Sequence, residues 1–143
     1  MNPSEHLIDG PVPAGTISDQ IEKLSADLNV GASAFFIGRV RADQSEGKTV
    51  AAIDYSAYPE MVESTIQSIK DELFKSFTDL HKVLILHSTG LVKAGEASLL
   101  VLVSAGHRTQ SFQALEKCVE LIKANLPVWK KEFFTDGTSR WIE

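Results

Sequence analysis

The sequence predicts an α+β sandwich with a mostly antiparallel sheet. Three observations carry this. Strand-like and helix-like segments follow the order α-β-β-α-β-β-α-β, so strands come in adjacent pairs, without the strict βαβ alternation of a parallel sheet. Segments 59–77 and 109–125 each carry one apolar stripe at helical spacing, suited to lying on a sheet face. The chain has no Gly-x-Gly-x-x-Gly turn and no P-loop, which removes most of the weight from nucleotide-binding folds.

Residues 1–16 hold Pro3, Gly10, Pro11, Pro13 and Gly15 and read as an irregular leader. Residues 17–143 then form a single domain, an ordinary size for one core that needs no metal or disulfide. Ser18 is placed to cap a short helix whose Ile21, Leu24 and Leu28 share a face. Residues 31–40 (GASAFFIGRV) are strand-like, and Gly38 within them signals a bulge or a close backbone approach. A polar loop at 41–48 leads to a second strand at 49–58. Pro59 suits the first turn of a helix, and Val62, Ile66, Ile69, Leu73 and Phe77 form its core-facing stripe. A strand at 82–89 is followed by a turn region punctuated by Gly90 and Gly95, then a buried strand at 97–105 that Gly106 ends. The last helix places Phe112, Leu115, Val119 and Ile122 on one side, and Pro127 stops it. Residues 128–134 look extended, and Asp136-Gly137 signals a turn.

Composition narrows the function classes. The net charge of −5 is local: residues 1–30 hold one base and five acids, the remainder 13 bases and 14 acids. That is no footprint for nucleic acid, so an anion would be held by a few placed cations in a pocket. One cysteine, Cys118, excludes an intramolecular disulfide and any zinc or iron–sulfur site built on paired cysteines of one chain. No apolar run approaches the ~18–20 residues of a membrane span, and the start lacks the order of a signal peptide. The expected location is the cytoplasm, with no metal, no membrane and no nucleic acid.

The polar residues of interest cluster in the last third. His107 and Arg108 fall between a buried strand and a helix, a junction that either makes an anion site or merely solvates a turn. Lys123 lies roughly 70° from the centre of the 109–125 stripe, at ~100° per residue. A lysine at that boundary either snorkels or, if desolvated, becomes a usable nucleophile or base. In an extended 128–134, Lys130 and Glu132 share one face, and Trp129, Lys131 and Phe133 the other. Lys130 and Glu132 make either a surface pair or a proton-transfer pair. Arg39 and Arg41 flank Val40 at a strand end, and Phe35-Phe36 reads as core. His81 and His87 lack metal-site spacing and read as structural or surface, and Cys118 reads as a small buried thiol.

These residues, taken together, resemble the large, catalytic subunit family of molybdopterin synthase. The matching stretches, in family order, are Val30-Gly31-Ala32, Phe36 to Arg41, Tyr55 to Met61, Gly90 to Glu96 and Ala105-Gly106-His107-Arg108 with Phe112 and Ala114. Lys123, Pro127 to Glu132 and Arg140-Trp141 complete them, so the resemblance spans about residues 17–142. Ser88 departs from it, standing after His87 where the family often has arginine.

The resemblance implies an α/β hammerhead fold with an added small antiparallel subdomain. It implies sulfur transfer from the C-terminal Gly-Gly thiocarboxylate of a small ubiquitin-like partner to cyclic pyranopterin monophosphate, forming the dithiolene of molybdopterin. A homodimer with one small subunit at each end, a heterotetramer, is implied, and no separate cofactor. By position, Lys123 and Lys130 match the two essential lysines and Glu132 the glutamate that follows. His107 and Arg108 match the substrate-contacting pair, and Phe36 and Arg41 the strand-end residues. The competing reading is a non-catalytic dimeric binding module for a ubiquitin-like protein or small metabolite.

Overall fold

The computed structural model describes residues 5–142. In chain order the elements are β1 (Leu7–Asp9), α1 (Ala14–Leu24), β2 (Ala32–Arg39), β3 (Gln44–Ser45), β4 (Lys48–Ala57), α2 (Pro59–Ser76), β5 (Leu80–Lys93), β6 (Ala97–Ala105), α3 (Arg108–Asn125), β7 (Val128–Phe134) and β8 (Ser139–Ile142). The sheet runs β2-β6-β5-β4-β7-β8, with β1 joined to β5 and β3 to β4. Every pairing is antiparallel except that of β1 with β5. The expected fold class is the observed one.

The leader is the first correction. Residues 1–4 of the expected irregular segment lie outside the described residues, but the rest carries β1 and the first turn of α1. Main-chain pairing to His87, Ser88 and Thr89 fixes β1. His6, just before it, is buried, donating from Nδ1 to Glu63 at 2.8 Å and accepting from Lys70 Nζ at 3.1 Å. Helix α1 begins at Ala14, not at Ser18, because the Pro13 carbonyl accepts the Thr16 N–H at 3.1 Å and opens the helix there. Its expected stripe does not reach a core: no α1 residue is buried, and Ile21 and Leu28 are 57% and 91% exposed.

Helix α2 buries Val62, Ile66, Ile69 and Leu73, as their spacing predicts, with Phe77 as its C-cap. Helix α3 is turned by about one residue (~100°) from the expected stripe. It buries Ser111, Ala114, Cys118 and Ile122, while Phe112 is 62% exposed. The cause is the surface beneath it. Leu99, Val101 and Val103 of β6 and Phe36 of β2 fill the core side of the sheet, so the helix comes close only on its small residues. Ser111 Oγ donates to the Val103 carbonyl at 2.9 Å in that contact.

Two cores result. The larger lies between α2, α3 and strands β5 and β6; the smaller gathers Val40, Val50, Tyr55, Val92 and Phe134 under the β4-β7-β8 layer. Strand β5 spans both. Its first half pairs with β6 and its end, Gly90–Lys93, with β4. Gly90 therefore sits inside a strand, not in a turn, and its φ of +80° lets the strand change partners. Gly38 marks a bulge in β2, where an added Cβ would come 3.3 Å from Leu99 Cβ. The loop expected at 41–48 contains β3 and a two-residue hairpin turn, Glu46-Gly47, with both φ angles positive.

Candidate functional site

The end of α3 and the start of β7 build the site. Leu126 caps the helix, donating its N–H to the Ile122 carbonyl at 3.0 Å, and Pro127 brings no N–H to continue it. The chain turns at once into β7. Lys123, in the last helical turn, and Lys130, third in β7, therefore open into one cavity of about 400 Å³. Ile122 comes from α3, Leu126 and Val128-Trp129 from the connection and β7, Leu99 from β6, Ile142 from β8 and His87 from β5. No carboxylate is among these lining residues.

The electrostatics follow from the burial. Lys130 is half-buried, and its desolvation, aided by the charge of Lys123, lowers its pKa below the ordinary lysine value. Lys123 is exposed at the rim, at a helix C-terminus that favours a cation. The sequence placed it at the edge of the buried face, and the rotation of α3 moves it out. Burial pushes His87 down to about 4, with Lys130 and Lys123 adding to the effect and its bond to the Ser88 carbonyl opposing it. His87 Nδ1 lies 2.8 Å from that carbonyl. The imidazole packs against Tyr55 in a T-shaped pair, with ring centroids 5.1 Å apart. Burial raises the Tyr55 pKa against the hydrogen bond its hydroxyl donates to Ser98 at 3.2 Å.

The other expected site residues divide. Glu132 shares the Lys130 face of β7 but does not orient that lysine. Its Oε1 accepts from Arg140 Nε at 3.0 Å, and no ion pair among the described residues joins it to Lys130. Strand geometry explains the choice: residues i and i+2 stand about 7 Å apart along a strand, while a cross-strand partner stands nearer, and Glu132 lies opposite Arg140. Phe36 is half-buried against the larger core. Its ring neighbours Gly38 and hence Leu99 of the cavity wall. Arg41 is exposed past the end of β2, paired with Asp43 at 3.3 Å. His107 and Arg108 stand at the opposite end of α3, roughly 22 Å from Lys123 at 1.5 Å per residue. The His107 N–H donates to Asp79 Oδ2 at 2.8 Å, and its Nδ1 lies 3.1 Å from the same oxygen. Arg108 is exposed. One chain thus unites the lysines and holds the His-Arg pair apart.

The sequence reads His87 as structural or surface and does not single out Asp79, whereas the structure sets the first in the cavity wall and the second under His107. His87 had a signal: in 82–89 it alternates in phase with Val83 and Ile85, both buried on the core side. Asp79 had none, since only the fold brings it under His107. Cys118 is buried, and burial raises its pKa to about 12 against the opposing charge of Lys70. Ser56, Ala57, Tyr58, Trp129 and Trp141 line a second cavity of about 410 Å³, which shares Trp129 with the lysine cavity. Lys131 Nζ stands 5.4 Å from the Trp141 ring centre. Among the described residues no group of three or more His, Cys, Asp or Glu is set to hold a metal, and no helix is long and apolar enough to cross a membrane.

Comparison with known proteins adds the following. A family model described as MoaE protein matches residues 13–125. A molybdopterin synthase catalytic subunit from Dictyostelium discoideum is 36% identical over 121 residues, covering 83% of this chain and 76% of that protein. A crystal structure of molybdopterin synthase from Staphylococcus aureus superposes with a TM-score of 0.84 at 28% identity, covering 96% of each chain. A complex of subunits 1 and 2 of molybdopterin-converting factor from Helicobacter pylori shares the fold, with a TM-score of 0.79 at 18% identity over 96% of this chain and 88% of that one.

Proposed function

This chain belongs to the MoaE protein family, and on that premise we propose that it is the catalytic subunit of a molybdopterin synthase. In this reading it acts in the cytoplasm. It moves sulfur from the C-terminal thiocarboxylate of a small ubiquitin-like partner to cyclic pyranopterin monophosphate, and builds the dithiolene of molybdopterin. The observation that carries the reading is the cavity shared by Lys123 and Lys130, with no carboxylate among its described lining residues. Both reactants are anions that repel each other. A partly desolvated pocket with fixed positive charge lets them meet.

The lysines divide the work by depth. Lys123, at the rim, meets the carbonyl of the partner's last glycine and stabilises charge there, or captures the acyl group in passing. Lys130, deeper and with a lowered pKa, gives up and regains a proton readily while sulfur adds and the cyclic phosphate opens. Glu132, through Arg140, holds β8 against β7 and so positions Lys130 indirectly. The exposed Tyr58, Trp129 and Trp141 beside the cavity suit the body of the partner whose tail enters it.

His107, Arg108 and Arg41 then hold the phosphate and the polar groups of the pterin. Since the His-Arg pair stands at the far end of α3, a second copy supplies it, in a homodimer carrying one small subunit at each end. The test is reconstitution with a preformed thiocarboxylated partner and the pyranopterin substrate. Lys123→Ala and Lys130→Ala are each expected to lower product formation by at least ~10²-fold, the scale of a lost acid–base group or oxyanion donor. Near-normal rates for both variants would remove this mechanism.

A further inference from the structure

His87 lies in the wall of the lysine cavity, and the roles above give it no task. Its protonation pattern is fixed by its neighbours. A neutral imidazole carries one N–H, and the Ser88 carbonyl 2.8 Å from Nδ1 can only accept. Nδ1 is therefore the donor, and the lone pair belongs to Nε2, since the one side-chain hydrogen bond of His87 among the described residues runs through Nδ1. His87 is 7% exposed, and its ring packs in a T-shaped pair with Tyr55.

The proposed sulfur transfer creates a demand that the lysines do not meet. When the sulfur of a thiocarboxylate bonds to a pterin carbon, the product is a thioester between the partner's terminal glycine and the pterin. Release requires the acyl carbon–sulfur bond to break. We propose that His87 is a third catalytic residue of the cavity, whose Nε2 takes a proton from the water that cleaves this thioester. The water oxygen bonds to the acyl carbon, and the carbon–sulfur electron pair leaves with sulfur as the pterin thiolate. One proton of the water passes to Nε2 and then to that thiolate. The other leaves to solvent as the glycine carboxyl ionises. This inference rests on the sulfur-transfer reading and assigns one step of it.

Three groups face the imidazole: Lys123 from α3, Lys130 from β7 and Tyr55 from β4. The two lysines supply the positive charge that the anions need. A base beside them must stay neutral, and burial keeps His87 so by pushing its pKa down to about 4, with the lysine charges adding a smaller effect. Once phosphate and thiocarboxylate occupy the cavity they offset the ammonium charges, and the ring becomes more basic in the loaded site.

The experiment is a quenched single turnover with the full chain, thiocarboxylated partner and pyranopterin substrate, read by intact mass of the partner. His87→Asn keeps an amide donor near Nδ1 and removes the base. It is expected to slow product release about 10²-fold while a partner–pterin adduct accumulates. Hydroxylamine, which cleaves thioesters without a base, is expected to discharge that adduct. His87→Gln is the second variant if the first does not fold, with the same expectation. A variant that releases product at the wild-type rate, or one that is folded and slow without an adduct, overturns the assignment. Failure of the wild-type chain to make any product would count instead against sulfur transfer itself.

Discussion

Ser88 shows how one residue both supports the site and weakens the fold. Its carbonyl fixes the tautomer of His87, yet its own Oγ is fully buried and has no hydrogen-bond partner among the described residues. An unmet buried hydroxyl costs about 1–3 kcal/mol. Ser88→Ala removes the hydroxyl and leaves the carbonyl in place. It is expected to raise unfolding stability by about 1 kcal/mol, read as a shift in urea midpoint at constant slope. At this scale the sequence pointed to Lys123 and Lys130 by position and type, and the structure brings the two into one cavity. The partner of Glu132 was not legible, because a strand's closest neighbours come from the register of the next strand, here Arg140 of β8.

At the scale of elements, boundaries and faces separate. The helices at 59–77 and 109–125 were visible from apolar spacing, and the structure places α2 and α3 there within a residue or so. The buried face of α3 was not visible, because its spacing favours the large residues and its packing favours Ser111, Ala114 and Cys118. The start of β2 is held as tightly as that helix. Gly31 donates its N–H to the Ala105 carbonyl at 3.0 Å, and a Cβ on Gly31 would run into the Gly106 carbonyl oxygen. Both contacts are backbone, so neither yields easily. Gly31→Ala is expected to cost about 1–3 kcal/mol, as overpacking does, and to lower the melting temperature followed by circular dichroism.

At the scale of the whole molecule, the buried imidazole makes stability depend on pH. The unfolded chain protonates His87 below its ordinary value of 6.5, whereas the folded chain resists until about 4. Folding stability is therefore unaffected by this group above 6.5 and falls as pH drops from there toward 4. At 1.36 kcal/mol per unit the loss is about 3 kcal/mol. Asp27 and Asp136, whose pKa values are lowered from 3.8, act in a separate window. Their contribution is present above 3.8 and is lost only as pH falls below it. Urea unfolding at pH 7 and pH 4.5 is expected to show the His87 loss in the wild type and its absence in His87→Gln. Apart from the short strands β1, β3 and β8, which the sequence reading did not contain, the order of elements was settled by the sequence alone, as were the α+β class and the cations of the last third, because periodicity and residue type are written in neighbouring positions. Only the tertiary structure decided that β1 joins the sheet, that α3 turns its small face inward, that His87 enters the lysine cavity and that His107-Arg108 lies a helix length away. Those outcomes depend on strand register and on how closely a helix can approach a sheet, which residues distant in the chain set together.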